Sequence, residues 1–101
     1  NRAYMVKHIV LYFLKDKSPE TKNQIKSRFM SMKGKIDCLR DIEVGVDFLG
    51  SQRSADISLT CLFDSREDME KYAVHPVHLP VKEYVLSVCE KSISCDYETE
   101  E

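Results

Sequence analysis

The sequence predicts an α+β domain with the ferredoxin-like split order β-α-β-β-α(α)-β and a four-stranded antiparallel sheet. Three observations carry this reading. Four strand-like runs fall at residues 6–14, 42–46, 57–63 and 93–97, too short for helices and bounded by turn-forming residues. A helical pattern lies between the first two runs, and two shorter ones, parted by a proline, lie between the last two. Finally, the first run is apolar on both faces, so its sheet needs cover above and below.

The elements follow in order. In Val6 to Leu14, Ile9, Leu11 and Phe13 share one face, and Val10 and Tyr12 share the other with His8. Ser18-Pro19-Glu20 starts a helix: Ser18 can accept from an orphan N–H, Pro19 suits the first helical position, and Glu20 complements the dipole. Ile25, Phe29, Met32 and Ile36 form its apolar stripe, with Gly34 as the expected end, Lys33 and Lys35 beside the carbonyl terminus, and Ile36 packing from the turn. Ile42, Val44 and Val46 alternate with Glu43, Gly45 and Asp47 as a half-exposed strand. The loop from Phe48 to Ala55 is long enough to fold over something.

Ile57 to Phe63 places Ile57, Leu59, Cys61 and Phe63 on one face. Ser65-Arg66-Glu67-Asp68 resembles a capping box before a short helix that buries Met69, Tyr72 and Ala73. That helix breaks near His75, because Pro76 disfavours helical geometry in the residue before it. A second helix restarts around His78 to Pro80 and turns Val81, Tyr84, Val85 and Val88 inward. Ile93, Cys95 and Tyr97 alternate as a last strand, and the acidic tail from Glu98 to Glu101 is expected to fray. With both helical layers on one sheet face, Leu11 and Phe13 need another cover. A homodimer, sheet face against sheet face, supplies it.

Residues 1–101 are too few for two cores and are expected to form a single domain. A net charge of −2 lacks the electrostatic footprint of a nucleic-acid binder, and the lysines between Lys15 and Lys35 spread around a helix. No apolar run reaches membrane-spanning length. Cys38, Cys61, Cys89 and Cys95 form no C-x-x-C pair and no zinc-like spacing. With no signal sequence seen, they read as free thiols of a cytoplasmic protein.

One stretch concentrates groups able to move a proton: Tyr72-Ala73-Val74-His75-Pro76-Val77-His78. It admits two readings. As a helix junction, His75 bonds a freed carbonyl, Pro76 fixes the break, and Tyr72 is a core aromatic. As a pocket, neutral His78 accepts a proton from a carbon acid while Tyr72 and His8 donate to the developing enolate. Val10, Leu59 and Ile57 would then supply apolar walls. A metal held by His8, His75 and His78 finds no carboxylate or cysteine at ligand spacing, so neither metal nor cofactor is expected.

Together with that stretch, Met5-Val6-Lys7-His8-Ile9-Val10-Leu11, Asp41-Ile42-Glu43-Val44-Gly45, Asp56-Ile57-Ser58-Leu59, Phe63-Asp64-Ser65 and Asp96-Tyr97 resemble the stress-responsive A/B barrel (Dabb) family of the dimeric α+β barrel superfamily. The resemblance implies a homodimer whose two sheets form a barrel, with a small pocket between sheet and helices in each subunit. It also extends distantly to a plant olivetolic acid cyclase, which closes a polyketide by aldol condensation. By that likeness His78 matches the general base, Tyr72 its supporting phenol and His8 a pocket-wall histidine. Ile57 stands where that enzyme has a further histidine, and Phe29 where it has a tyrosine. The expected function is therefore binding of a small apolar ligand by a homodimer of this family, with His8, Val10, Tyr12, Phe29, Ile57 and Leu59 around the ligand. The alternative is a cofactor-free cyclase or lyase in which His78 and Tyr72 act on a ketone or polyketide-like substrate.

Overall fold

The computed structural model describes residues 4–100. Its elements are β1 (Val6–Leu14), α1 (Pro19–Met30), β2 (Asp41–Val46), β3 (Ile57–Phe63), α2 (Arg66–Ala73), α3 (His78–Val88) and β4 (Cys89–Glu98). The sheet order is β2-β3-β1-β4, antiparallel throughout, which is the ferredoxin-like arrangement expected. Register sorts the side chains. Val6, Val10, Tyr12 and Leu14 of β1 join Ile57, Leu59, Cys61 and Phe63 of β3 in one core with Ile25, Phe29, Tyr72, Val81 and Val85 of the helices.

Among the described residues, no helix packs on the opposite face of the sheet. There Gly45, Ser58, Leu11 and Ile93 stand in one cross-strand row, and Glu43, Thr60, Ile9 and Cys95 in the next. Ile93 is 50% exposed and Tyr97 42%, an apolar strip left open on a chain whose other apolar face is covered.

Helix α1 begins as its sequence dictates: Ser18 Oγ accepts from the Thr21 N–H at 3.3 Å, and Asp16 accepts from Ser18 N–H at 2.9 Å. It stops at Met30, one turn short of Gly34. The Ser31 hydroxyl donates to the Arg28 carbonyl, and Met32 and Lys33 N–H groups donate three residues back, to Phe29 and Met30. These tighter turns satisfy the last carbonyls early. The basic residue of the last turn is therefore Arg28, not Lys33 or Lys35. Gly34 serves a turn instead, at φ 79°. Met32 and Ile36 still pack into the core from that turn.

The loop after β2 does not cover the site described below. The Asp47 N–H donates to the Asp56 carbonyl at 2.9 Å, and Phe48 at the loop tip is 97% exposed. Asp56 itself latches two strands: its carboxylate accepts from the Leu14 N–H and from Lys17 Nζ, both at 2.8 Å. Residues 98–100 are not a loose tail. Glu98 ends β4 and pairs with Arg66, and Thr99 N–H donates to the Met5 carbonyl at 2.8 Å. Glu101, the last residue of the expected fray, lies outside the described residues.

Candidate functional site

The break between α2 and α3 creates the site. Ser65 caps α2, accepting from the Asp68 N–H at 3.1 Å. The helix then runs to Ala73, which is exposed rather than buried as its sequence position suggests. The chain turns through His75 and Pro76, and the His75 carbonyl starts α3 by accepting from His78 and Leu79.

The carbonyl-binding role expected of His75 falls to His78. His75 Nδ1 accepts from the Val77 N–H at 3.0 Å, so it holds an amide and not a carbonyl. The freed carbonyl of Ala73 is instead taken by His78, whose Nδ1 lies 3.2 Å from it. A carbonyl only accepts, so Nδ1 carries the proton and Nε2 carries the lone pair. His78 is thus a junction residue and a potential base at once.

Tyr72, 2% exposed, stacks on the His78 ring with centroids 4.1 Å apart. Its other neighbours are Phe63 at 5.1 Å and, edge-on, His8 at 6.3 Å. The phenol oxygen accepts a weak S–H bond from Cys61, 3.9 Å away. Burial, with Cys61 adding to it, pushes the Tyr72 pKa far above the ordinary phenol range, so Tyr72 acts as a neutral O–H. The same burial drives the Cys61 thiol up to about 12 and makes it inert. His78 moves the other way: burial first, then the charges of Lys82 and His8, lower its pKa, with the Ala73 bond opposing in part. It is neutral at physiological pH.

These side chains line a cavity of about 320 Å³ between the helices and the sheet. His8, Val10 and Tyr12 come from β1, Phe29 from α1, Tyr72 from α2, and His78 and Val85 from α3. Tyr12 and Phe29 meet at 5.6 Å and close one side. Six residues proposed from the sequence, His8, Val10, Tyr12, Phe29, Tyr72 and His78, thus share one cavity. Ile57 and Leu59 do not line it. Each is 1% exposed, packed in the core on β3, one strand farther from the opening, and Ile57 borders a separate hollow beside Gly45 and Phe48.

Four further polar lining residues escape the sequence reading, Ser92, Ser94, Lys82 and Glu70, as does the apolar Leu86. A fifth polar group, Asp96, acts from behind by bonding His8 Nδ1 through Oδ1. Ser92, Ser94 and Asp96 alternate along β4 and stand opposite Tyr12, Val10 and His8. Their signal in the sequence is the polar half of the alternation whose apolar half is Ile93, Cys95 and Tyr97. Among the described residues no group of three His, Cys, Asp or Glu side chains is placed to hold a metal ion. Among them, too, no helix is long and apolar enough to cross a membrane.

Comparison with known proteins agrees with this architecture. A crystal structure of a dimeric protein of unknown function from Bacteroides fragilis is 33% identical, covers 94% of this chain and 96% of its own, and superposes with a TM-score of 0.81. A hydroxynitrile lyase from Passiflora edulis has a TM-score of 0.82 over 96% of this chain and 94% of its own, at 19% identity, a likeness of fold alone. A stress-response A/B barrel domain-containing protein of Arabidopsis thaliana is 28% identical over 95% of this chain, which spans 37% of that relative's length. The family model described as the stress responsive A/B barrel domain matches residues 6–99. The chain belongs to the stress-responsive A/B barrel domain family.

Proposed function

We propose that this protein binds a small, largely apolar molecule in the cavity between its sheet and helices, without a cofactor, as a homodimer joined through its open sheet faces. One observation carries the binding reading: apolar walls from Val10, Tyr12, Phe29 and Val85 border a cavity of about 320 Å³ that His8, Tyr72 and His78 also line. The homodimer is supported by the exposed Ile93 and Tyr97 beside Ile9 and Leu11, and by a dimeric relative 33% identical. Four unpaired cysteines suit a reducing compartment such as the cytoplasm. Native mass spectrometry of the purified protein tests binding. A bound molecule of a few hundred daltons, lost when Leu86 at the cavity wall is changed to Trp, supports it. Binding unaffected by that plug argues against the cavity.

A specific observation favours catalysis as a second reading. His78 is neutral, and its bond to Ala73 fixes Nε2 as the accepting nitrogen. Such a nitrogen can remove a proton from a carbon next to a ketone. The C–H bond breaks, an N–H bond forms, and the electron pair passes to the carbonyl oxygen, where the Tyr72 O–H donates to the enolate. This is chemistry of the cyclase or lyase type, and the passion-fruit lyase is an enzyme on the same scaffold. Exchange of acetophenone α-protons in deuterated water measures it. His78→Asn, which keeps a donor for Ala73, should abolish exchange. Exchange that persists in that variant removes His78 as the base.

A further inference from the structure

Two imidazoles flank the Tyr72 ring, and a different acceptor fixes each. His78 Nδ1 donates to the backbone carbonyl of Ala73 at 3.2 Å. His8 Nδ1 is bonded by the carboxylate of Asp96, its cross-strand partner. A carbonyl and a carboxylate both lack a proton to give, so in each neutral imidazole the proton sits on Nδ1 and the lone pair on Nε2. Both residues line the cavity. The bond to Asp96 also draws on a side chain 39% exposed and reached from a second hollow, outside the cavity. Asp96 is outside the cavity lining and reaches it only through His8.

We infer that the cavity selects a molecule whose polar end is a hydrogen-bond donor, a hydroxyl in particular, its proton accepted by Nε2 of His8 or of His78, with Asp96 as the positioning residue that holds His8 in the accepting tautomer. The inference rests on the binding reading above and names its ligand class. A hydroxyl can give its proton to one of these nitrogens while its oxygen accepts from the Tyr72 O–H, whereas an ether or simple ketone oxygen can only accept and leaves both nitrogens unpaired. A site built to bond a hydroxyl discriminates strongly against the analogue without one, because its own polar atoms are then left unpaired.

The probes are benzyl alcohol and benzyl methyl ether, alike in their aromatic body and opposite in donor capacity. Titrations followed by NMR should show the alcohol binding roughly tenfold or more tighter than the ether, the scale of one buried hydrogen bond. Nitrogen-15 spectra of the unliganded protein, taken near pH ~8, should show both His8 and His78 protonated on Nδ1 alone. In Asp96→Asn the amide can turn its NH₂ toward Nδ1, moving the His8 proton to Nε2. The alcohol-to-ether preference should then shrink several-fold while His78 keeps its tautomer. Equal binding of the two probes to the wild type would overturn the inference and leave the binding reading standing. A proton on Nε2 of either histidine in the wild type would overturn it as well. Failure of both probes to bind would overturn the binding reading itself, and this inference with it.

Discussion

His78 joins fold and site, so its replacement separates the two. His78→Ala removes the bond to the Ala73 carbonyl, about 0.5–1.5 kcal/mol. It also removes a ring stacked on Tyr72 at 4.1 Å, worth about 0.5–1.5 kcal/mol more. The sum, roughly 1–3 kcal/mol, corresponds to a melting loss of roughly 5–20 °C in a domain of this size. His78→Asn keeps an N–H near the Nδ1 position and should lose about half as much. The pH dependence identifies the group. Burial, with Lys82 and His8, lowers the folded pKa of His78 below its ordinary value, so the unfolded chain binds the proton more readily. Stability from this group is full above about pH 6.5, declines as pH falls, and levels off once pH passes below the folded value. Urea unfolding across that range measures it. The difference in pH slope between wild type and His78→Asn reports the contribution of His78. An identical pH slope in the two, or a wild type that gains stability on acidification relative to the variant, would refute the reasoning.

Three other outcomes are expected. Asp56→Ala strands the Leu14 N–H and should cost about 1–3 kcal/mol by urea unfolding, with Asp56→Asn less damaging at neutral pH. Burial alone would raise the Asp56 pKa, but the Leu14 and Lys17 bonds outweigh it and hold the carboxyl below its usual range; the stability is thus present above about pH 4 and lost as pH falls through the folded value, a decline that Asp56→Asn should remove. Leu11→Lys places a charge in the middle of the open sheet face. Sedimentation should find the wild type dimeric at micromolar concentration and the variant monomeric, and a monomeric wild type would sink the dimer. A Cβ on Gly45 would stand 2.8 Å from Ser58 Oγ, so Gly45→Ala should lower the unfolding midpoint and Ser58→Ala should restore part of it, with a coupling of about 0.5–3 kcal/mol.

The fold is legible in the sequence because its signals are local and mutually consistent. Period-two runs name the strands, Ser18-Pro19 and Ser65 name two helix starts, and Pro76 names the break. The stop of α1 is not legible, because the Ser31 hydroxyl's claim on the Arg28 carbonyl competes with a glycine cap farther on, and nothing in the spacing ranks the two. Six candidate wall residues share one cavity because each sits on a predicted inward face. Ile57 and Leu59 are inward too, but facing inward does not tell core from cavity; that depends on which helix lies over each position. The His8–Asp96 bond joins residues 88 apart in sequence and emerges only when β4 is set beside β1 in register. That His78 and not His75 holds the freed carbonyl turns on which ring reaches Ala73, a detail of backbone path rather than of composition.

The central claim is a cavity that holds a small molecule against His8 and His78. Methyl-region NMR during a benzyl alcohol titration tests this most directly, with Leu86→Trp as the plugged control. Saturable shifts should concentrate at Val10, Ala73 and Val85, all of which line the cavity, and should be lost in the plugged variant. Shifts scattered over the open sheet face, or shifts at those methyls that survive the plug unchanged, would contradict the claim.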